Sequence, residues 1–204
     1  MGKGIALVHK LRDPVMFEEY RRHCKAGLIQ PGKLFLYKET GRDPWVLNFP
    51  TKNDWKHPSK LEYLEAGLVK FAETWQKQGI ESIAFPLLGT HNGGLDTDLV
   101  KDLMFDRLSE CDLKIEVYQY DPEAEDGMFL KFRDKWMQLG EDEVKSTTGI
   151  QLQYAKKITQ MLEGGAIQSM IALANTRGVG LKTLEKLFEF AREEELPPTQ
   201  MELL

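Results

Sequence analysis

A lysine directly after a proline-terminated apolar stretch is the first candidate for chemistry in this sequence. The run Asn48-Phe49-Pro50-Thr51-Lys52 ends a predicted strand at its proline, which places Thr51 and Lys52 at the carboxyl rim of a sheet. Ligands of open α/β folds bind at that rim. A lysine there can stabilise a developing charge, or act as a nucleophilic amine when burial and nearby positive charge lower its pKa. The alternative interpretation is a surface lysine on a loop.

A glycine-rich loop follows the most apolar predicted strand and precedes a predicted helix. It consists of Gly89, Thr90, His91, Asn92, Gly93, Gly94 and Leu95. Such loops offer backbone N–H groups to phosphate, and their glycines let the backbone approach a diphosphate without a clash at Cβ. A second turn of this kind, Gly2-Lys3-Gly4, also precedes a predicted helix, and its lysine adds positive charge. The alternatives are an ordinary turn rich in Gly and Asn, and a solvated N-terminus.

The elements that must position these residues alternate between strands and helices. Strands are predicted over residues 33–38, 45–49, 82–88 and 114–120, and helices over 14–27, 59–78 and 98–109. This alternation favours a three-layer α/β sandwich with a largely parallel sheet. Ser59 and Glu62 fit a capping box at the start of the longest helix, and Asp96 fits a helix cap after the glycine loop.

The remainder of the chain is predicted to be helical. An aromatic-rich helix over 127–137 is expected to pack back on the sandwich, so a first domain is predicted over residues 1–139. Residues 140–149 are polar and charged and are the best candidate for a linker. Three predicted helices, over 150–162, 166–174 and 181–192, then form a small helical segment that covers 150–204.

Composition limits the classes of function. The formal net charge is −5, so any contact with nucleic acid must come from a local basic patch rather than from the whole chain. No apolar run approaches the length that spans a bilayer, and the N-terminus lacks the apolar core of a signal peptide. The two cysteines, Cys24 and Cys111, are expected to be core thiols in a reducing compartment. A soluble, cytoplasmic protein without a membrane partner is therefore expected.

Three ordered stretches give the sequence a resemblance to certain macrodomains over residues 1–121. They are residues 1–6 (MGKGIA), residues 48–52 (NFPTK) with Trp55, and residues 86–89 (PLLG) followed by 92–95 (NGGL). The set is similar to bacterial DNA ADP-ribosyl glycohydrolases, antitoxins that remove ADP-ribose from DNA, and to eukaryotic relatives that act on terminal ADP-ribose. The resemblance implies a three-layer α/β/α macrodomain sandwich with a mixed, largely parallel sheet.

The resemblance also implies roles for the candidate residues. Gly2, Lys3 and Gly4 would edge the distal ribose of ADP-ribose, and Lys52, next to Thr51, would be the catalytic lysine. Residues 89–95 would wrap the diphosphate and the distal ribose. ADP-ribose is thus the expected ligand or product, an ADP-ribosylated macromolecule the expected substrate, and a toxin a possible partner. No cofactor and no metal ion are expected.

The sequence departs from the family pattern in three places. The family has about two strands before the MGKG motif, one of them central in the sheet, so we expect either a reading frame that begins further upstream or a truncated chain. His91 replaces the second glycine of a Gly-x-Gly pattern, where an imidazole would crowd the distal ribose or take part in acid–base chemistry. The eukaryotic relatives use an aspartate in this loop where this chain has Gly93. These departures bear on catalysis more than on binding.

The helical segment carries a pattern that resembles a helix-hairpin-helix. Helix 166–174 leads to Thr176-Arg177-Gly178-Val179-Gly180 and then to a helix from Leu181. In that motif, backbone N–H groups of the hairpin contact a DNA phosphate. Arg177, Gly178, Gly180 and Lys182 are the DNA-binding candidates. The alternative is a helical hairpin whose glycines only allow the turn.

Three functions follow as hypotheses. The first is a hydrolase that removes ADP-ribose from a modified macromolecule, with nucleic acid preferred over protein. The second is a non-catalytic reader that binds ADP-ribose while His91 prevents productive geometry. The third is an adaptor that acts through its helical segment.

Overall fold

The computed structural model describes residues 1–38, 44–124 and 126–192. The helices are α1 (Gly4–Arg12), α2 (Pro14–Lys25), α3 (Leu61–Thr74), α4 (Thr97–Leu108), α5 (Gly127–Gln138), α6 (Glu141–Thr148), α7 (Leu152–Glu163), α8 (Met170–Ala174) and α9 (Leu181–Arg192). The strands are β1 (Phe35–Tyr37), β2 (Val46–Asn48), β3 (Ser82–Pro86) and β4 (Lys114–Tyr118). The chain divides into two compact units, Val15–Tyr120 and a second unit made of Met1–Pro14 and the residues from Asp121 onward.

The Val15–Tyr120 unit has the α/β architecture predicted from the sequence. β1 and β2 pair antiparallel with Leu36 opposite Leu47, whereas β3 and β4 pair parallel with Ala84 opposite Glu116. The parallel pair requires a crossover connection, and helix α4 supplies it. The described part of the unit therefore contains one antiparallel and one parallel pair of strands.

Helix α3 buries one face of its amphipathic stripe in this unit. Leu64, Leu68 and Phe71 are almost fully buried and recur at helical spacing. The predicted capping box is wrong, because Lys60 is the N-cap residue and makes no side-chain capping bond. Glu62 instead pairs with the Lys60 ammonium at 3.1 Å. By contrast, the predicted cap at Asp96 is confirmed, since its carboxylate accepts the backbone N–H of Asp98 and of Leu99.

The second unit is a bundle of helices around its own apolar core. Phe132, Trp136, Ile158, Leu187 and Phe188 are among its fully buried side chains. Helix α1 contributes Leu7 and Leu11 to this core and contacts α8 and α9. The Asp126 carboxylate accepts backbone N–H groups at the start of α5 and, at 2.8 Å, the N–H of Met170 at the start of α8.

This grouping differs from the domain division expected from the sequence. Helix α5 belongs to the helical core through Phe129, Phe132 and Trp136, not to the α/β unit. The segment expected to be a linker forms helix α6, which begins after Gly140 and ends at Gly149 in a left-handed conformation. Val144 buries its side chain and so anchors the helix. Charged residues at 141–143 and 145 made the segment resemble a linker, but one buried valine is enough to dock a short helix.

The structure also bears on the two cysteines, on membrane-spanning helices and on metal-binding clusters. Cys24 is exposed and Cys111 is half-buried, so neither is the core thiol that we expected. Within the described ranges, no helix has the length and apolar character needed to cross a membrane. The same residues contain no cluster of three or more His, Cys, Asp or Glu side chains arranged to hold a metal ion.

Candidate functional site

Phe49 and Pro50 anchor the segment that carries Lys52. Phe49 follows β2 and packs edge-to-face on Phe85 of β3, with ring centroids 6.3 Å apart. Gly67 in α3 leaves the space that the Phe49 ring fills, because a Cβ at Gly67 would overlap that ring. Pro50 is also buried. The chain therefore leaves β2 from an anchored position, and the half-buried Thr51 and Lys52 follow at once.

The structure brings Lys52 together with the glycine-rich loop. The Lys52 ammonium donates a hydrogen bond of 2.9 Å to the backbone carbonyl of Asn92, across a separation of 40 residues. The stretch around Lys52 and the glycine-rich loop, far apart in the sequence, therefore meet at one place in the α/β unit.

Backbone hydrogen bonds close the glycine-rich loop on itself. The N–H of Leu95 donates to the Gly89 carbonyl at 3.1 Å, and that of Gly94 donates to the Thr90 carbonyl at 3.2 Å. The Thr90 hydroxyl donates to the Leu87 carbonyl at 3.0 Å, at the end of β3. Gly89 and Gly94 have φ angles of +70° and +77°, which glycine adopts without strain. The loop is thus a compact turn, with the side chains of His91 and Asn92 exposed.

Ser59 is a site residue whose place the sequence did not reveal. Its backbone N–H donates to the Gly93 carbonyl at 3.0 Å. Its side chain is buried, and the hydroxyl has no hydrogen-bond partner among the described residues. The sequence pattern indicates another role, because a serine just before an apolar helical stripe is also the usual sign of an N-cap. In the structure this serine supports the loop and does not cap α3.

The N-terminal candidates belong to the helical unit. Gly4 begins α1 with a φ of +57°, and Lys3 precedes it in an extended conformation without a side-chain capping bond. The Leu7 N–H donates to the Lys3 carbonyl at 3.3 Å. The side chain of Lys3 and the backbone of Gly2 are exposed.

A turn through Gly178, Val179 and Gly180 connects α8 to α9 in the helical unit, and whether it acts as a helix-hairpin-helix stays a prediction. Val179 packs against the apolar core, while Gly178 and Gly180 on either side of it are exposed. Gly178 has a φ of +81°, and the Lys157 ammonium donates to the Arg177 carbonyl at 3.1 Å. Arg177 and Lys182 are exposed as well.

Comparisons with known proteins agree on the first half of the chain. Residues 1–104 match the family described as Macro domain. The DNA ADP-ribosyl glycohydrolase of Mycobacterium tuberculosis is 42% identical over 121 residues, which are 56% of this chain and 34% of that protein. A DNA ADP-ribosyl transferase–DNA ADP-ribosyl glycohydrolase fusion protein of Thermosipho africanus is 32% identical over 135 residues, 58% of this chain and 35% of the fusion.

A solved structure shows the same similarity in three dimensions. Thermosipho africanus DarTG in complex with ADP-ribose superimposes with a TM-score of 0.57 at 32% identity, covering 60% of this chain and 35% of that one. The matched region thus spans about a third of the length of these relatives.

Proposed function

This chain belongs to the Macro domain family, and on that premise we propose that it binds ADP-ribose and hydrolyses the bond joining it to a modified nucleic acid. One observation carries the proposal: the Lys52 ammonium lies 2.9 Å from the Asn92 carbonyl of the glycine-rich loop. Relatives named DNA ADP-ribosyl glycohydrolase, and one solved with ADP-ribose, support the choice of ligand and bond.

The glycine-rich loop would hold the diphosphate. It lies between the end of β3 and the N-terminus of α4, where the helix dipole favours negative charge, and the positive φ angles of Gly89 and Gly94 shape a backbone without side chains that a phosphate can approach closely. Thr51, next to Lys52 in the chain, would line the same pocket. Positioning of this kind lowers a barrier because the reacting groups no longer have to be brought together from solution.

Lys52 would act at the anomeric carbon of the distal ribose. As the bond to the nucleobase breaks, the base leaves with the bonding electron pair and takes up a proton, which is replaced by a proton from the attacking water. A neutral Lys52 amine can form a transient bond to that carbon, or its ammonium can stabilise the departing group. Water then supplies the hydroxyl of free ADP-ribose and returns the lysine to its starting state. This route uses no metal ion.

Ligand binding and turnover test the proposal together. Calorimetry should give a dissociation constant for ADP-ribose in the micromolar range, where 1 μM corresponds to about −8 kcal/mol. AMP, which lacks the second phosphate and the distal ribose, should bind much more weakly. An ADP-ribosylated single-stranded oligonucleotide should release free ADP-ribose. Equal affinity for AMP and ADP-ribose would overturn the role of the loop, and binding without turnover would identify a reader.

A second activity has its own observation, the arrangement of the α8–α9 hairpin. The half-buried Val179 packs against the helical core while the two flanking glycines face solvent, so the backbone of the turn is open to a contact with phosphate. We propose that Arg177, Gly178, Gly180 and Lys182 bind DNA at this hairpin. We also propose a DNA ADP-ribosyl transferase, acting as a toxin, as partner and the cytoplasm as location; the Thermosipho africanus fusion, which joins a DNA ADP-ribosyl transferase to a DNA ADP-ribosyl glycohydrolase, supports the choice of partner.

A further inference from the structure

Trp55 is the most exposed of the large hydrophobic side chains in the described ranges. It is 81% exposed and lies three residues after Lys52. A single exposed apolar residue is common on protein surfaces and needs no explanation. What distinguishes Trp55 is a backbone turn fixed by hydrogen bonds, a lysine ammonium near its ring, and its place three residues after the proposed catalytic lysine.

A tight turn holds the tryptophan away from the protein. The Asp54 carbonyl accepts the N–H of His57 at 3.1 Å, so Trp55 and Lys56 occupy the two central positions. The Asp54 carboxylate also accepts the N–H of Lys56 at 2.9 Å. Proline at position 58 restricts the chain where the turn ends. The turn therefore presents an indole to solvent at little cost in conformational entropy on binding.

The same segment supplies local positive charge in an acidic chain. Lys52, Lys56 and Lys60 lie within nine residues, although Lys60 is paired with Glu62 at 3.1 Å. The Lys56 ammonium lies 5.6 Å from the centroid of the Trp55 ring. The Asp54 carboxylate is engaged by the turn. An exposed aromatic ring beside lysines is the combination that binds single-stranded nucleic acid, because bases stack on the ring and phosphates contact the ammonium groups.

We propose that Trp55 stacks on a nucleobase of a single-stranded nucleic acid substrate while Lys56 contacts its backbone, next to the bond on which Lys52 acts. This inference rests on the proposed function and adds to it two residues that position the substrate strand. A base within a duplex offers no free π-face, so a stacking residue at this position selects an unpaired strand.

Three variants of the full chain test the inference. Trp55→Ala removes the ring, Trp55→Phe keeps a smaller aromatic surface, and Phe105→Ala removes a ring of similar exposure (74%) from α4 as a matched control. Fluorescence anisotropy with a labelled single-stranded oligonucleotide at low salt measures nucleic-acid binding. Calorimetry with ADP-ribose shows whether the pocket remains intact.

The expected result is a selective loss. Trp55→Ala should weaken oligonucleotide binding about tenfold and leave ADP-ribose affinity unchanged, whereas Trp55→Phe should stay within about threefold of the wild type and Phe105→Ala should match it. Unchanged oligonucleotide affinity in Trp55→Ala would overturn the inference and leave Trp55 as a contact for a protein. Equal losses for both ligands would show a structural role and overturn it too.

Turnover separates this inference from the proposed function. The wild type could bind the oligonucleotide through Trp55 and never release ADP-ribose from the modified strand. That result would overturn the proposed hydrolysis and support the stacking role. If the wild type releases ADP-ribose and Trp55→Ala does so with the same kcat/KM, the result supports the proposed hydrolysis and overturns the stacking role.

Discussion

Gly93 lies against Ser59 so closely that a methyl group on Gly93 would overlap the Ser59 hydroxyl and the Gly89 carbonyl. The φ angle of Gly93 is not positive, so the glycine is required by space and not by backbone conformation. Gly94 shows the reverse: a Cβ there meets nothing within 4 Å, but its φ is +77°. Adjacent glycines of one loop are therefore needed for two different physical reasons.

Alanine substitutions separate these two reasons. Gly93→Ala should lower the free energy of unfolding by about 1–3 kcal/mol through overpacking, and should displace the loop and weaken ADP-ribose binding. Gly94→Ala should cost about 1–2 kcal/mol of backbone strain only. Urea titration and calorimetry measure the two effects. A Gly93→Ala protein with wild-type affinity for ADP-ribose would show that the contact with Ser59 does not shape the site.

Loss of the Lys52 ammonium should affect hydrolysis far more than binding. In Lys52→Ala we expect no measurable release of ADP-ribose from a modified oligonucleotide, with ADP-ribose affinity within about tenfold, or roughly 1.4 kcal/mol. Lys70→Ala, an exposed lysine on α3, is the control and should keep full activity. Full turnover in the Lys52→Ala protein would exclude this lysine as an essential group.

Replacement of His91 tests the unusual residue of the loop. His91 is exposed between Thr90 and Asn92, where the family pattern has glycine. We expect His91→Gly to raise the rate of ADP-ribose release several-fold, because the smaller residue leaves more room for the distal ribose. Steady-state kinetics with the modified oligonucleotide decide the question. A lower rate would mean that the imidazole takes part in acid–base chemistry.

Binding of DNA by the hairpin should be independent of sequence and sensitive to salt, because released counterions drive it. Gly178→Val should weaken the gel shift, since Gly178 has a φ of +81° and a Cβ there would lie 2.6 Å from the Lys157 ammonium. Lys182→Ala should reduce the slope of log affinity against log salt concentration by about one unit.

Lys131→Ala on α5 is the control for these variants. The full chain is required, because α1 and α5 complete the helical core. Absence of any shift at low salt would exclude this activity.

A histidine in α1 should make stability depend on pH. Burial, and then the charge of Arg12, hold the pKa of His9 below its usual value of 6.5, and Asp13 opposes them. The unfolded chain therefore binds a proton that the folded chain does not, so this contribution is complete above pH 6.5 and is lost as the pH falls through the lowered pKa.

Denaturant unfolding at pH 7.5 and pH 5.5 measures this contribution. The wild type should lose stability between the two values, with a slope of at most about 1.4 kcal/mol per pH unit from one proton. His9→Gln should reduce the loss. His57→Gln, which changes an exposed histidine, should leave it unchanged. The same pH dependence in His9→Gln and the wild type would contradict the assignment.

The sequence by itself determined the local elements and the composition of the site. Helices such as α4 and α9 and all four strands were predicted within a few residues, because helix periodicity, the Asp96 cap and apolar alternation depend on neighbours in the chain. The motif around Lys52 and the glycine-rich loop could likewise be recognised from residue types and spacing.

Only the tertiary structure decided which of these pieces meet. The bond from Lys52 to Asn92 joins residues 40 apart, and Ser59 leaves its expected cap position to support Gly93. Helix α5, expected on the sandwich, packs instead in the helical core. An apolar stripe specifies that a face must be buried but not against which partner, because burial is non-directional. Long-range backbone hydrogen bonds and the volumes of facing side chains determine which elements pack together.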